Sequence, residues 1–249
     1  MTTHQFSTFQ SLHLRSKPIM LNNIWDAAGA ALLAANSAEA IATSSASLAW
    51  SCGYADGSNL PRHELMTSVQ RIRRITDLPV TIDIENGYSD SPTEVAKLVQ
   101  ELVNLGISEI NIEDGQQSPS LLINKIKAIR DTVGENLFIN ARTDVYLQAL
   151  VEPQHMLSES VSRTQQYIEA GANGVFVPGT LDVDVFSALV HNTPAPINAM
   201  IPSIEYDLNP LSSVGVKRFS LGPTPFLSCY SKLTDFQTEL GFEQMNALF

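Results

Sequence analysis

Two acidic side chains lie where a buried strand should end. Segment 80–88 begins with a β-branched run, which is typical of a buried parallel strand, and then places Asp83 and Glu85 two residues apart. Residues at i and i+2 of a strand project to the same side, so the two carboxylates should lie close together. Such a pair repels unless a cation or a proton lies between them, and hard oxygen ligands favour Mg²⁺ or Mn²⁺. The alternative is a solvated strand end, where the acids merely avoid burial.

Further polar residues follow the ends of other predicted strands. They are Ser44 and Ser45 after the second strand, Asp56 in the loop beyond it, Glu113 after the fourth strand, and Arg142 with Asp144 after the fifth. The carboxyl ends of parallel strands in a barrel meet at one mouth, where active sites of such barrels lie. Several acids and one arginine therefore converge there, whereas the opposite mouth collects nothing comparable. This asymmetry favours a functional site over a structural ion-pair network.

The elements that must position these residues alternate between strand and helix. The predicted strands are 19–22, 40–44, one beginning at 80, 108–113, 137–140, 174–177, 197–201 and 218–221, and a closing helix is predicted over 224–240. Repeated βα units with apolar strands imply a parallel sheet with both of its faces covered. We therefore expect an α/β fold, a (β/α)₈ TIM-type barrel forming a single domain over 1–249. Residues 1–17 would form an N-terminal extension and 224–249 a C-terminal helical segment.

Composition excludes several classes of partner. The net charge of −11 and the lack of a basic run argue against binding to nucleic acid or to an anionic membrane surface. No apolar stretch is long enough to span a membrane, and the first twenty residues lack the order of a signal peptide. Cys52 and Cys229 are interpreted as reduced, buried thiols, which favours a cytoplasmic location. His4, His13, His155 and His191 are expected on the surface.

The order of the motifs resembles that of the isocitrate lyase/phosphoenolpyruvate mutase superfamily. The motifs, spread over about residues 18–222, are Trp25-Asp26, Thr43-Ser44-Ser45, Gly53-Tyr54-Ala55-Asp56, Asp83-Ile84-Glu85-Asn86-Gly87-Tyr88, Asn111-Ile112-Glu113-Asp114 and Asn140-Ala141-Arg142-Thr143-Asp144. The resemblance implies a (β/α)₈ barrel that is usually tetrameric, so we expect a homo-oligomer, either a dimer or a tetramer. It also implies Mg²⁺ (or Mn²⁺) as cofactor, a small carboxylate as substrate and an enolate resembling that of pyruvate as the shared intermediate.

The resemblance also implies roles for individual residues. Asp83 would contact the metal most directly, and Asp56, Glu85 and Glu113 would hold the metal's waters. Ser44 and Ser45 would bind a substrate carboxylate, and Arg142 would pair with substrate oxygens through its planar fork. Tyr88 or Tyr146 could supply a phenolic proton, although either could be a simple rim tyrosine. Trp25 could form an aromatic wall for the ligand or merely pack at the mouth.

Two departures from the family pattern bear on the reaction. Family lyases carry a cysteine and a histidine on a mobile loop after the fourth strand, but residues 114–120 here contain neither. The phosphonate enzymes carry a histidine after the sixth strand, where this chain has Val177-Pro178-Gly179-Thr180. We therefore predict a Mg²⁺-dependent lyase or decarboxylase that breaks a C–C bond in a small 2-oxo or 2-hydroxy (di)carboxylate. The alternatives are a phosphoenolpyruvate/phosphonopyruvate mutase or hydrolase, and a barrel that binds an oxo acid without turning it over.

Overall fold

A parallel sheet that closes on itself forms the centre of the molecule. The structure is a computed structural model that describes residues 2–233 and 240–249. Within these residues the strands are β1 (Ile19–Leu21), β2 (Asn23–Ile24), β3 (Ile41–Thr43), β4 (Val80–Asp83), β5 (Glu109–Glu113), β6 (Phe138–Arg142), β7 (Gly174–Phe176), β8 (Ile197–Met200) and β9 (Arg218–Ser220). Their order is β1-β9-β8-β7-β6-β5-β4-β3-β2, and every pairing is parallel. The predicted (β/α)₈ TIM-type barrel is thus confirmed.

The barrel closes at a break in its first strand. The predicted strand 19–22 is divided, so that β1 pairs with β9 while β2 pairs with β3. The Asn23 side chain joins the two sides of this seam. It donates to the Thr43 carbonyl at 2.8 Å and accepts from the Leu221 and Gly222 amides at 2.9 and 3.1 Å. One amide therefore satisfies backbone groups that the break leaves without strand partners.

Helices cover the outside of the sheet. In the described residues they are α1 (Thr2–His13), α2 (Ala27–Ala35), α3 (Ser45–Ser51), α4 (Arg62–Ile75), α5 (Pro92–Asn104), α6 (Pro119–Val133), α7 (Met156–Glu169), α8 (Val183–Asn192), α9 (Asn209–Ser213), α10 (Thr224–Ser231) and α11 (Phe242–Asn246). Asp26 caps α2 as predicted, accepting from the Gly29 amide at 2.7 Å. The short α3 was not predicted. The predicted helix 224–240 is α10 in its first part, and residues 234–239 lie outside the described residues.

Side chains alternate between the helical layer and the barrel interior. In β5, Ile110 and Ile112 pack in the apolar cluster shared with α5 and α6, as the period of two in a strand requires. Glu109 and Asn111 face inwards, where both meet Arg218 of β9 from the far side of the barrel. Glu109 and Arg218 are at most 1% exposed. Burial raises the pKa of Glu109 to about 7, although Arg218 acts to lower it. An ion pair therefore fills the interior.

The helix α1 closes the amino-terminal mouth of the barrel. Phe9 packs edge-on against Phe138, the first residue of β6, with ring centroids 5.7 Å apart. His13 stacks on Phe138 at 4.7 Å and is 4% exposed, so the expectation that it lies on the surface is wrong. Burial, together with the charge of Arg218, lowers the pKa of His13 to about 3, and the imidazole is neutral. The predicted N-terminal extension therefore packs as an apolar plug.

The two cysteines differ from their predicted environment. Cys52 is half-buried and Cys229 is exposed, so the prediction that both thiols are buried is wrong. Within the described ranges 2–233 and 240–249, no helix is both long enough and apolar enough to cross a membrane.

The interior ion pair yields a stability prediction. Arg218→Met should lower the free energy of unfolding by about 3–5 kcal/mol, because Glu109 would remain buried without its partner. The matched control is Arg15→Met, which removes an ion pair with Glu39 whose side chains are 49% and 58% exposed. That control should cost about 0–1 kcal/mol. Urea unfolding of both variants checks this, and equal losses would contradict the account.

Candidate active site

The carboxyl ends of four neighbouring strands bring the predicted polar residues together. Asp83 ends β4, Glu113 ends β5 and Arg142 ends β6. Ser44 follows β3 and caps α3, where its hydroxyl accepts from the Ser47 amide at 3.4 Å. These residues share one mouth of the barrel, as the alternating pattern of the sequence indicates.

A tight turn places the acids at the end of β4. The strand ends at Asp83, and the chain turns through left-handed conformations at Glu85 (φ 50°), Gly87 (φ 90°) and Tyr88 (φ 56°). The expectation that Asp83 and Glu85 share one strand face is therefore wrong. They meet because the Glu85 amide donates to Asp83 Oδ1 at 3.2 Å. A Cβ at Gly87 would lie 2.8 Å from the Val95 side chain, so α5 requires glycine at this position.

Asp83 lies at the bottom of this mouth. Its backbone amide donates to Thr43 Oγ1 at 3.0 Å, and its Oδ2 accepts from the Ser45 amide at 3.5 Å. The residue is 8% exposed. Burial raises the pKa of Asp83, while Arg142 and the amides of Glu85 and Ser45 oppose that rise.

Two other carboxylates have an oxygen with no donor. Glu85 Oε2 accepts from the amide and the hydroxyl of Ser58, but no hydrogen bond from the described residues reaches Glu85 Oε1 or Asp56 Oδ1, and both are buried. Burial, with Asp83 nearby, raises the pKa of Asp56 to about 6. Burial, with Asp56 and then Asp83, raises the pKa of Glu85 to about 7. These acids therefore form one group whose negative charge is incompletely neutralised.

Arg142 is the cation set among these acids. Its Nη1 lies 2.8 Å from Glu113 Oε2, and its Nε and Nη2 form a two-pronged contact with Asp144 at 2.6 and 3.0 Å. Burial by itself lowers the pKa of the guanidinium, but Glu113 and Asp144 together raise it above its usual value. Burial raises the pKa of Glu113 well above its usual range, against the opposing charge of Arg142. The side chains of Arg142 and Glu113 remain 15% and 17% exposed, so both reach the open mouth.

A buried network holds Asp144. Asp114 Oδ1 accepts from the Asp144 amide at 2.9 Å, while its Oδ2 accepts from Arg163 Nη1 at 2.9 Å and from the Tyr167 hydroxyl at 2.6 Å. Asp114 and Asp144 are at most 1% exposed. Arg163 and Tyr167 of α7 thus hold Asp114, which holds the backbone of Asp144. Asp144 in turn orients Arg142. Sequence reasoning missed the partners on α7, because no spacing relates residues on different elements.

Asn246 of α11 also supports the site and was missed. Its Oδ1 accepts from the Asp56 amide at 2.7 Å and from Trp50 Nε1 at 2.9 Å. Trp25 lies in the same aromatic cluster, edge-on to Phe226 at 4.9 Å. That packing accounts for Trp25 without a ligand.

Tyr88 lies beside Glu85. Its hydroxyl is buried with no hydrogen-bond partner in the described part of the chain. Burial, followed by the charges of Glu85 and Asp83, raises its pKa well above the usual value. The phenol therefore stays protonated at neutral pH.

The residues present suit a hydrated Mg²⁺. No three His, Cys, Asp or Glu side chains in the described residues are placed to bind one ion directly. Mg²⁺ usually keeps several waters and takes one or two carboxylates from the protein. Asp83, with the free oxygens of Asp56 and Glu85 nearby, offers acceptors of that kind.

The connection after β5 is short. The helix α6 begins at Pro119, so residues 114–118 alone join the two elements. The short loop after this strand was predicted.

The chain is similar in sequence to known proteins. The chain is 34% identical over 225 residues to an uncharacterized protein of Mycobacterium tuberculosis, covering 88% of this chain and 83% of that protein. It is 32% identical over 147 residues to the oxaloacetate decarboxylase of Pseudomonas savastanoi pv. phaseolicola, covering 54% of this chain and 48% of that enzyme.

Solved structures share the fold. A provisionally named phosphonomutase from Burkholderia cenocepacia J2315 superposes with a TM-score of 0.87 at 36% identity, covering 93% of this chain and 98% of that one. A phosphonopyruvate hydrolase crystallised with oxalate and Mg²⁺ superposes with a TM-score of 0.77 at 16% identity, covering 98% of this chain and 94% of that one. The latter likeness concerns the fold alone.

The family model described as phosphoenolpyruvate phosphomutase matches residues 9–240. The chain therefore belongs to the phosphoenolpyruvate phosphomutase family, within the superfamily of enzymes that its motifs indicate.

Proposed function

We propose that the protein is a Mg²⁺-dependent enzyme that breaks a C–C bond in a small 2-oxo or 2-hydroxy dicarboxylate, with decarboxylation of an oxaloacetate-like acid as its main reaction. The observation that carries this proposal is the group of incompletely neutralised acids around Asp83, beside Arg142, under a short loop. The relative named oxaloacetate decarboxylase supports the reaction class, although the match spans about half of each chain.

The chain's own residues would hold the substrate at one end. Ser44 and Ser45 lie beside Asp83, and Arg142 keeps N–H groups that its ion pairs with Glu113 and Asp144 do not use. These groups suit the carboxylate and the adjacent oxygen of a 2-oxo acid. The fixed orientation of Arg142 limits the ways in which the acid can bind, which favours one reactive conformation.

Asp83, Asp56, Glu85 and Glu113 would hold the metal ion and its waters. When bound, Mg²⁺ supplies a Lewis acid that stabilises the negative charge developing on the oxo group. Breaking the bond to the departing carboxylate would release CO₂ and leave its electron pair on the substrate, whose C3 would then take one proton. Tyr88 or solvent water would donate that proton.

The rival reactions place other demands on the site. Aldol cleavage must control a proton in a closed site, but residues 114–118 are too few to cover the mouth as the long family loop does. Mutase or hydrolase chemistry on a phosphonate would use a histidine after β7, where this chain has Pro178 and Gly179. A barrel that only binds an oxo acid stays the non-enzymatic alternative. A homo-oligomer, either a dimer or a tetramer, and a cytoplasmic location stay predictions.

The acids predict how metal binding depends on pH. Mg²⁺ binds deprotonated carboxylates, and the pKa values of Asp56 (about 6) and Glu85 (about 7) are raised in the metal-free protein. Mg²⁺ affinity should therefore rise between pH 5.5 and 8, as these groups lose their protons. Isothermal titration calorimetry at several pH values measures it. Asp83→Asn should abolish binding, whereas Asp90→Asn, an exposed acid on the same segment, should not. Unchanged Mg²⁺ affinity in Asp83→Asn would refute the site.

The carboxylate clamp predicts ligand binding. Oxalate mimics the enolate of pyruvate, so it should bind well only when Mg²⁺ is present. Arg142→Lys keeps the charge but loses the planar fork, and should weaken oxalate binding by about 1–3 kcal/mol. Arg62→Lys on α4, in a partly exposed pair with Glu101, is the control and should leave the affinity unchanged. Oxalate affinity that is equal with and without Mg²⁺ would overturn the clamp.

The short loop predicts the reaction. With Mg²⁺, decarboxylation of oxaloacetate should outrun cleavage of isocitrate or methylisocitrate, because the enolate can take its proton from solvent at an open mouth. In D₂O the 2-oxo acid formed from a 3-alkyl oxaloacetate should carry deuterium at C3 with little stereochemical preference. Efficient cleavage of methylisocitrate, or strict stereochemistry, would mean that another segment closes the site and supplies the acid.

A further inference from the structure

An apolar cavity of about 410 Å³ opens at the same mouth as the acids. It lies at the carboxyl ends of β7, β8 and β9, and its lining includes residues 179–181, 200–202, Leu221 and Pro223. Leu227 of α10 and Phe242 of α11 complete its wall. The acids belong to β3 to β6, so the cavity occupies the other half of the barrel mouth.

The wall of the cavity touches the segment that carries Arg142. A Cβ built on Gly179 (φ 89°) would overlap the backbone nitrogen of Leu147, so the backbones of the β6 and β7 loops are in close contact. Phe176 is the last residue of β7, and the centroid of its ring lies 5.7 Å from the guanidinium carbon of Arg142. The cavity and Arg142 therefore lie at one mouth of the barrel, where the neighbouring strands β6 and β7 end.

The chemistry of the lining limits what the cavity can accept. The residues that the structure describes around it carry no charged side chain, and the polar groups are chiefly the hydroxyls of Thr180 and Thr224. A carboxylate or a phosphonate placed there would lose its hydration without gaining a counter-ion, which is costly. A hydrocarbon group would gain free energy from burial. The size of the cavity falls within the range of ligand pockets.

We infer that the substrate is a 2-oxo acid with an apolar substituent at C3, and that this cavity binds the substituent. The inference rests on the proposed function, because Arg142 and the metal site must hold the acid end. Leu227 and Met200 then act as specificity residues that face hydrocarbon. An oxaloacetate with an alkyl group at C3 is a better substrate than oxaloacetate itself.

A series of unreactive 2-oxo acids tests the cavity by binding. Pyruvate, 2-oxobutanoate, 2-oxopentanoate and 4-methyl-2-oxopentanoate are titrated into the Mg²⁺-loaded protein by calorimetry, with oxalate as the reference. Each added methylene should raise the affinity about three- to fourfold, from the transfer free energy of one buried CH₂. The preference in turnover is measured as kcat/KM, which should be higher for 3-alkyl oxaloacetates than for oxaloacetate.

Matched variants separate the cavity from the acid site. Leu227→Trp fills the cavity and should remove the gain along the series while oxalate and pyruvate bind as before. Leu227→Asn keeps most of the volume, and should reduce the gain by making the wall polar. Leu32→Trp on α2, at a position 65% exposed, is the control and should keep the full gain. Thermal unfolding confirms that each variant is folded.

The outcomes distinguish this inference from the proposed function. If oxalate does not bind in the presence of Mg²⁺, the proposed function fails. If oxalate binds but the affinities of the 2-oxo acids do not rise with chain length, the acid site stands and the cavity assignment is wrong. If the affinities rise equally in Leu227→Trp, the alkyl group binds elsewhere, which also overturns the assignment.

Discussion

The barrel mouth contains more negative than positive charge, and the properties of the candidate site depend on this excess. Asp56, Asp83, Glu85 and Glu113 lie close enough for their charges to affect one another, and Arg142 provides one positive charge in their midst. Folding must overcome this repulsion, since the carboxylates also lose hydration as the mouth forms. A site that is unfavourable when empty is well suited to a cation, because the free energy gained on binding includes relief of the repulsion.

In the interior of the barrel, by contrast, the buried negative charge has a matching positive charge. There Glu109 is matched by Arg218, while Asn111 Oδ1 accepts from Arg218 Nη2 at 3.2 Å and from Asn140 Nδ2 at 2.8 Å. Below this layer α1 supplies an apolar plug. The barrel thus passes from hydrocarbon at one end, through a matched ion pair, to unmatched acids at the other. Stability resides mainly at the closed end and chemistry at the open one, as is usual for this architecture.

The sequence was informative wherever a local pattern reflects a physical requirement. β-Branched runs marked the strands because both faces of each strand are covered, and the polar residues after them marked the mouth because parallel strands end together. It was uninformative about partners distant in the chain. The residues around Glu109 do not indicate that it pairs with Arg218, and those around Asp114 do not indicate that it pairs with Tyr167. These partners meet only when the barrel has folded. His13 was wrongly predicted to lie on the surface. A neutral imidazole can be buried against an aromatic ring such as that of Phe138, and the residue type alone does not indicate whether the imidazole is neutral.

The hydrogen bond between the Asn246 side chain and the Asp56 amide can form only late in biosynthesis. These residues are 190 positions apart, and β4 to β9 lie between them in the chain. During synthesis on the ribosome the barrel strands can pair from β3 onwards, but the Asp56 loop lacks this partner until residue 246 has emerged. Chain closure over so long a separation is entropically costly unless the barrel is already formed. The acidic mouth is thus completed after the scaffold, so a nascent chain carries its strand order well before the Asp56 loop gains this partner.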